Sequence, residues 1–194
     1  MSHYPRASFL TSAAQSSQFP PDAGTEVAFA GRSNAGKSSA INAIVGRRGL
    51  ARASKLPGRT RLLNFFELGD RQRIVDLPGY GFAAASARER STWEPMTTAL
   101  AARASLRGIF VIVDSRRGVM DGDEGLLEWA AAAGVAVHVL LSKSDKLRSA
   151  ESRTALRECM AALGGRASAQ LFSAVDGSGM AQARDQLDAW LAAR

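Results

Sequence analysis

Short strand-like segments recur at residues 27–30, 63–67, 73–76, 109–114, 136–141 and 170–173, continuously apolar at 27–30 and 109–113, and are separated mostly by longer stretches with helical spacing of apolar positions. Runs that are apolar throughout, rather than alternating, predict strands buried on both faces. A further short strand is expected at 8–13, after a disordered start. Helices are expected from Lys37 onward and over 88–104, 123–133, 150–163 and 176–193, with Pro95 interrupting the second. Gly69-Asp70 reads as the turn of a hairpin joining 63–67 to 73–76. Such alternation predicts a three-layer α/β domain: a mostly parallel sheet, helices on both faces, and a ligand at the carboxyl ends of the strands. The expected division is a short extension over 1–24, carrying the leading strand, and one domain over 25–194. No linker, repeat or low-complexity tract stands out beyond the Ser/Pro-containing first two dozen residues.

Chemistry collects where strands are expected to end. Gly31-Arg32-Ser33-Asn34-Ala35-Gly36-Lys37-Ser38 follows the run 27–30 directly and opens the first helix at Lys37-Ser38-Ser39. A strand, a tight glycine-bearing turn and a helix N-terminus aim backbone N–H groups at one point, which favours a polyphosphate. Lys37 then reaches the β- and γ-phosphates, and the Ser38 hydroxyl ligates magnesium. Asp76 ends the next run and is followed by Leu77-Pro78-Gly79, placing an acid on the magnesium side, through water, and a glycine N–H near a γ-phosphate. Ser142-Lys143-Ser144-Asp145 leaves a third run. A carboxylate at Asp145 can accept from N1–H and the exocyclic amine of guanine, whereas adenine would leave it unpaired. The alkyl stem of Lys143 can lie over the base. Thr60, in the polar stretch Gly58-Arg59-Thr60-Arg61-Leu62, is a candidate to close over magnesium, with Ser54 competing for that role. Phe172-Ser173-Ala174 leaves the last run and can offer a backbone N–H to the guanine oxygen.

In this order the motifs resemble those of the EngB family of bacterial GTPases, also called YihA or YsxC, within the translation-factor-related class. The resemblance covers nearly the whole chain. Its carrying stretches are 26–39, Ser54-Lys55 with Pro57-Gly58-Arg59-Thr60, Asn64-Phe65-Phe66, the diagnostic Val75-Asp76-Leu77-Pro78-Gly79-Tyr80-Gly81-Phe82, and 140–147. It implies a single GTPase domain that binds GTP, GDP and magnesium, helps mature the large ribosomal subunit, and is associated with normal cell division and septation. Three positions depart from the family pattern. Ser142 replaces a threonine or asparagine, though its hydroxyl can still tie the loop down. Leu56 replaces a threonine, and Arg61 stands where glutamine is common. None of these removes a magnesium ligand.

The resemblance also frames catalysis. Ras-like enzymes carry a water-orienting glutamine just beyond Gly79. This chain reads Tyr80-Gly81-Phe82-Ala83, with no amide side chain, so intrinsic hydrolysis is expected to be slow. In related GTPases without that glutamine, an asparagine at the position of Asn34 helps hold potassium beside the phosphates. Lys37, Thr60, Gly79 and Asn34 are therefore the expected catalytic set. Three classes stay open: a GTP-hydrolysing assembly switch, a module that senses GTP occupancy with negligible hydrolysis, and a phosphoryl-transfer kinase. The base-reading and Thr60 segments weigh against the kinase.

Charge sharpens the choice of partner. The net charge is +7, from 25 basic and 18 acidic residues. Between Val27 and Phe66 there is no acid, while Arg32, Lys37, Arg47, Arg48, Arg52, Lys55, Arg59 and Arg61 contribute 8 positive charges, which leaves 17 basic against 18 acidic residues elsewhere. Such a basic segment suits ribosomal RNA phosphates. With 194 residues and 46% hydrophobic content the chain fits one domain with a substantial core. It has no apolar run long enough to cross a bilayer and no signal-peptide core near Met1, and a cytoplasmic monomer is expected. Cys159, the single cysteine, reads as a packed thiol. His138 reads as an oriented strand residue rather than a zinc ligand, and Trp93, Trp129 and Trp190 as packing residues. Asp121 and Asp123 are candidate helix caps. Arg116 and Arg117 are left between RNA contact and solvent.

Overall fold

The computed structural model describes residues 3–52, 62–80 and 95–193. Seven strands form one sheet: β1 (Ser8–Ala13), β2 (Thr25–Gly31), β3 (Leu63–Gly69), β4 (Gln72–Asp76), β5 (Leu106–Asp114), β6 (Ala136–Ser142) and β7 (Ser168–Leu171). Their order across the sheet is β1-β3-β4-β2-β5-β6-β7. The first two pairings, β1 with β3 and β3 with β4, are antiparallel. The rest are parallel, so β4, β2, β5, β6 and β7 all end on the same edge. The predicted architecture is the observed one.

The helices are α1 (Lys37–Val45), α2 (described over 95–101), α3 (Asp121–Ala132), α4 (Ser149–Leu163) and α5 (Met180–Ala192). Buried Ala40, Ile41, Ile44 and Val45 on α1 pack with Ala183, Leu187 and Leu191 of α5 against one face of the sheet. Met96 and Leu100 of α2, Leu126, Leu127 and Ala130 of α3, and Cys159 and Leu163 of α4 cover the other. Trp190 lies over β5, where a Cβ on Gly108 would fall 2.4 Å from its indole ring, so only glycine fits beneath it. Trp129 packs partly buried on the opposite core; Trp93 lies outside the described residues. The Cys159 thiol is pushed up to about 11, chiefly by burial and then by Asp123, and it is a packed thiol.

Several local expectations shift. The chain start is docked from His3 on: Tyr4 donates its phenol to Asp188 on α5 and its backbone N–H to Val45, 3.2 Å away. The helix expected to reach Ala104 ends at 101. The N–H groups of Ala104 and Ser105 turn to the Asp22 carboxylate, 2.9 Å each, and Arg103 turns to Glu26. The last helix begins at Met180 rather than Asp176. Gly177 and Gly179 take positive φ, and Asp176 accepts the Ser178 N–H at 2.9 Å in a separate turn. Asp123 does cap α3, but from inside: it reaches back to the Met120 N–H at 2.9 Å, while Asp121 is the first helical residue.

One charged network holds the amino ends of these strands. Glu26 on β2 is fully buried and accepts Arg73 Nε at 2.8 Å, Arg103 Nε at 2.6 Å and the Ser105 hydroxyl at 2.9 Å. The guanidinium ends of Arg73 and Arg103 then donate to carbonyls of Pro20, Pro21 and Ala23, fixing the segment that leads into β2.

On β6, His138 is buried between its neighbours. The Gln170 amide nitrogen donates to the Gly179 carbonyl at 2.7 Å, so its oxygen faces His138 Nε2 at 2.9 Å and takes the proton there. His138 Nδ1 then accepts from the Ser168 hydroxyl at 2.7 Å. Burial lowers the imidazole below its ordinary value of 6.5, against a smaller opposing effect of Gln170. A folded-state value below the unfolded one means that the stabilisation is full above pH 6.5 and is lost as pH falls toward the folded value. Urea unfolding should therefore show the wild-type advantage over His138→Gln shrinking between pH 7 and pH 5. A pH-independent difference would contradict this.

Candidate functional site

The carboxyl ends of the parallel strands place the chemistry together. β2 ends at Gly31, where a Cβ would fall 2.7 Å from the Ile112 carbonyl of β5, so glycine is required by that close approach. The loop turns through Ala35 N–H to Arg32 O at 3.0 Å, with Asn34 at φ 64 and Gly36 at φ 102 as the N-cap of α1. Lys37, Ser38 and Ser39 form the first turn of α1, which has no acid, so its N-terminal N–H groups and dipole favour an anion. Arg32, Ser33, Asn34, Ala35 and Gly36 wrap around that helix end.

Asp76 closes β4 beside this loop and is 5% exposed. Its carboxylate accepts from the Lys37 ammonium. Burial pushes the Asp76 carboxyl up, opposed first by Lys37 and then by Asn64. Leu77 is buried with its N–H on the Phe29 carbonyl at 2.9 Å. Pro78 and Gly79 follow, and a Cβ on Gly79 would come within 3.3 Å of Ser33 Cα. Tyr80 then pairs with the phosphate loop: its carbonyl accepts the Ser33 N–H at 3.0 Å, and its N–H meets the Gly31 carbonyl at 3.4 Å. The Tyr80 phenol donates to Asp123 at 2.7 Å. Burial first, and then Asp123, push that phenol upward, so it stays protonated.

Ser142, Lys143, Ser144 and Asp145 leave β6 and connect two loops at once. The Ser142 hydroxyl lies 2.5 Å from the Ala35 carbonyl and 3.1 Å from Val113 O. Lys143, at φ 60, donates its ammonium to Asn34 O at 2.6 Å and to Asp114 at 2.9 Å. Ser144 N–H donates to Phe172 O at 3.2 Å. Asp145 accepts the Ser173 hydroxyl at 2.8 Å and pairs with Lys146 at 3.1 Å. Ser173, then Lys146, hold its carboxyl below the ordinary range, so it is ionised at neutral pH. Phe172 is buried with its N–H on Leu141 O at 2.9 Å, and Ala174 is exposed just beyond.

Thus the phosphate loop, Asp76 to Gly79, Ser142 to Asp145 and Phe172 to Ala174 converge. Leu62 is half-buried just before β3. Gly58, Arg59, Thr60 and Arg61, like the competing Ser54, lie outside the described residues. Two contacts fall beyond the motifs. Motif spacing does not single out Asp114 or the Tyr80–Asp123 bond, although an acid closing an apolar strand at Asp114 repeats the pattern of Asp76. Arg116 is more than a solvated side chain: it grips Asp114 with two side-chain N–H groups at 2.9 and 2.7 Å.

A family model described as 50S ribosome-binding GTPase matches residues 26–143. A Coxiella burnetii (strain CbuG_Q212) protein named "Probable GTP-binding protein EngB" is 44% identical over 191 residues, covering 96% of this chain and 93% of its own. A Nitrosococcus oceani protein of the same name is 48% identical over 192 residues, covering 97% and 96%. The chain belongs to the EngB family of GTP-binding proteins. The EngB fold is supported by the crystal structure of a probable GTP-binding protein EngB, which superposes with TM-score 0.66 at 20% identity over 88% of this chain and 100% of that one. Aquifex aeolicus Era, crystallised with GDP and aluminium fluoride, shares the fold at TM-score 0.65 and 19% identity, over 87% of this chain and 57% of that one. No helix among the described residues is long and apolar enough to cross a membrane.

The Ser142 hydroxyl is the tie between β6 and the phosphate loop. Ser142→Ala removes the single hydroxyl proton that the Ala35 and Val113 carbonyls share and should lower the unfolding free energy by about 1–3 kcal/mol. Ser142→Thr keeps the hydroxyl and should recover most of that loss. Urea denaturation of nucleotide-free protein compares the three.

Proposed function

We propose that this protein binds GTP and GDP with magnesium, hydrolyses GTP slowly, and acts as a switch in maturation of the large ribosomal subunit. The supporting observation is the convergence of the phosphate loop with an ionised Asp145, two loops stitched together by Ser142 and Lys143. The phosphate loop binds the polyphosphate with its N–H groups and Lys37. Asp145 accepts two hydrogen bonds from guanine, Lys143 covers the base, and the backbone beyond Phe172 and Ser173, at Ala174, donates to the guanine oxygen.

The donor set fits magnesium. A serine hydroxyl and a carboxylate are hard oxygen ligands, and the buried Asp76 carboxylate already faces a cation, the Lys37 ammonium. Among the described residues no cluster of three or more acids, histidines or cysteines forms a protein-only cage, which suits an ion shared with phosphates and water. Ser38 would hold the ion directly and Asp76 through water, with Thr60 as the further ligand. Held by these residues, a magnesium ion would supply positive charge to offset that of the phosphates. Gly79 N–H would donate to the γ-phosphate.

Slow turnover follows from Tyr80, whose phenol is used by Asp123 and supplies no water-orienting amide. The same observation favours a second reading, in which GTP occupancy is sensed with negligible hydrolysis. Asn34 remains the group that would hold potassium beside the phosphates. The basic segment offers Arg48 and Arg52 as exposed side chains for ribosomal RNA, in line with the ribosome-binding description of the matching family model. A cytoplasmic location, a monomeric state and the family's part in division and septation belong to this proposal.

Calorimetry with magnesium should show GTP and GDP binding far more tightly than ATP, and Asp145→Asn should weaken GTP binding on the order of 100-fold or more. Equal ATP and GTP affinity would overturn the base-reading assignment and bring the kinase alternative forward. GTP turnover should be faster in potassium than in sodium buffer, and Asn34→Ala should remove the difference. Equal rates in both salts would end the role given to Asn34.

A further inference from the structure

Asp114 terminates β5 at the register position beside Ser142, the last residue of β6. Its side chain is 8% exposed and carries an unusual load of donors. One oxygen accepts Arg116 N at 3.1 Å and Arg116 Nε at 2.9 Å; the other accepts Arg116 Nη2 at 2.7 Å and Lys143 Nζ at 2.9 Å. The same Lys143 ammonium reaches the Asn34 carbonyl of the phosphate loop at 2.6 Å. Lys143 Cε lies 3.8 Å from where a Cβ on Gly36 would stand, so the stem runs along the loop rather than into solvent.

We propose that Asp114 is a positioning residue for guanine-nucleotide binding, acting through Lys143. This rests on the base-reading arrangement proposed above. A lysine stem has four rotatable bonds, and an ammonium left in water samples many of its rotamers. Asp114 fixes the ammonium from one side while the Asn34 carbonyl fixes it from the other, so the stem is held in place over the base before nucleotide arrives. Arg116 orients the carboxylate by a bidentate grip, which sets the oxygen that faces Lys143. The chain Arg116–Asp114–Lys143–Asn34 thereby joins the ends of β5 and β6 to the phosphate loop. The carboxyl of Asp114 is held well below the usual range, first by Arg116 and then by Lys143, and so is charged throughout the working range.

The contribution is moderate because Lys143 is 31% exposed and Arg116 48% exposed, where solvent screens the pair. The effect concerns the base and the loop, not the γ-phosphate, so GTP and GDP should weaken together.

The test is a double-mutant cycle in the full chain, using Asp114→Asn, Lys143→Met and both together, with GTP, GDP and ADP affinities measured by calorimetry in magnesium. Asp114→Asn should weaken GTP and GDP by a common factor of about ten. In the Lys143→Met background the same change should have an effect below about twofold, since the residue it acts through is gone. A merely structural role would instead multiply in the double mutant and lower the nucleotide-free melting temperature to the same extent in both backgrounds. Either that multiplication, or a GDP affinity of Asp114→Asn within twofold of wild type, overturns the proposal. Should the amide variant not fold, Asp114→Ser repeats the cycle with the same criteria. Wild-type protein that binds ADP as well as GDP would overturn the base-reading arrangement itself, and this inference with it. A guanine-selective wild type with a silent Asp114→Asn overturns this inference alone.

Discussion

Everything at the functional edge depends on β2 ending where it does. The strand is hydrogen-bonded on both sides, to β4 and β5, and buried on both faces, so its end cannot slide or swing. Slipping a parallel strand by one residue would reverse every side chain and put Val27 and Phe29 on the wrong face. At the last residue Gly31 approaches the Ile112 carbonyl too closely for any side chain. The phosphate loop therefore starts from a fixed point, and α1 is launched from it in a fixed direction.

Two charged networks, one at each edge of the sheet, keep the strands aligned, and they differ in a way that matters. Around Glu26 the carboxylate is sealed from water and each donor is matched, so that network serves architecture: losing one partner would strand a buried charge. Around Asp114 the cations are partly exposed, and one of them, Lys143, reaches the Asn34 carbonyl of the phosphate loop. The first network fixes where β2 and β4 begin. The second links where β5 and β6 end to the phosphate loop. The sealed network thus serves the frame of the sheet, and the partly exposed one ties the strand ends to the candidate site.

The segment after Asp76 adds a further constraint. Tyr80 places its backbone against Gly31 and Ser33 and its phenol on Asp123, so one residue touches both the phosphate loop and the start of α3. Asp123 uses its other oxygen to cap α3 at Met120. A change at Gly79 is thus joined by short, directional bonds to a helix end on the other side of the sheet.

The sequence by itself determined the strands, the sheet class and the loops that carry chemistry, because continuous apolar runs, a glycine turn and an acid at a strand end are local signals. Val27 to Ala30 followed by Gly31 to Ser38 is legible residue by residue, as are Asp76 and Asp145. Local signals were less reliable at helix ends. The start of α5 depends on the turn that Ser173, Asp176 and Gly179 make together, and the end of α2 on Asp22, some eighty residues earlier. Charge pairing between distant strands was not legible. That Glu26 takes Arg73 and Arg103, or that Asp114 takes Lys143 as well as the adjacent Arg116, requires strands distant in sequence to lie side by side, and only the folded sheet sets which charges share one small volume.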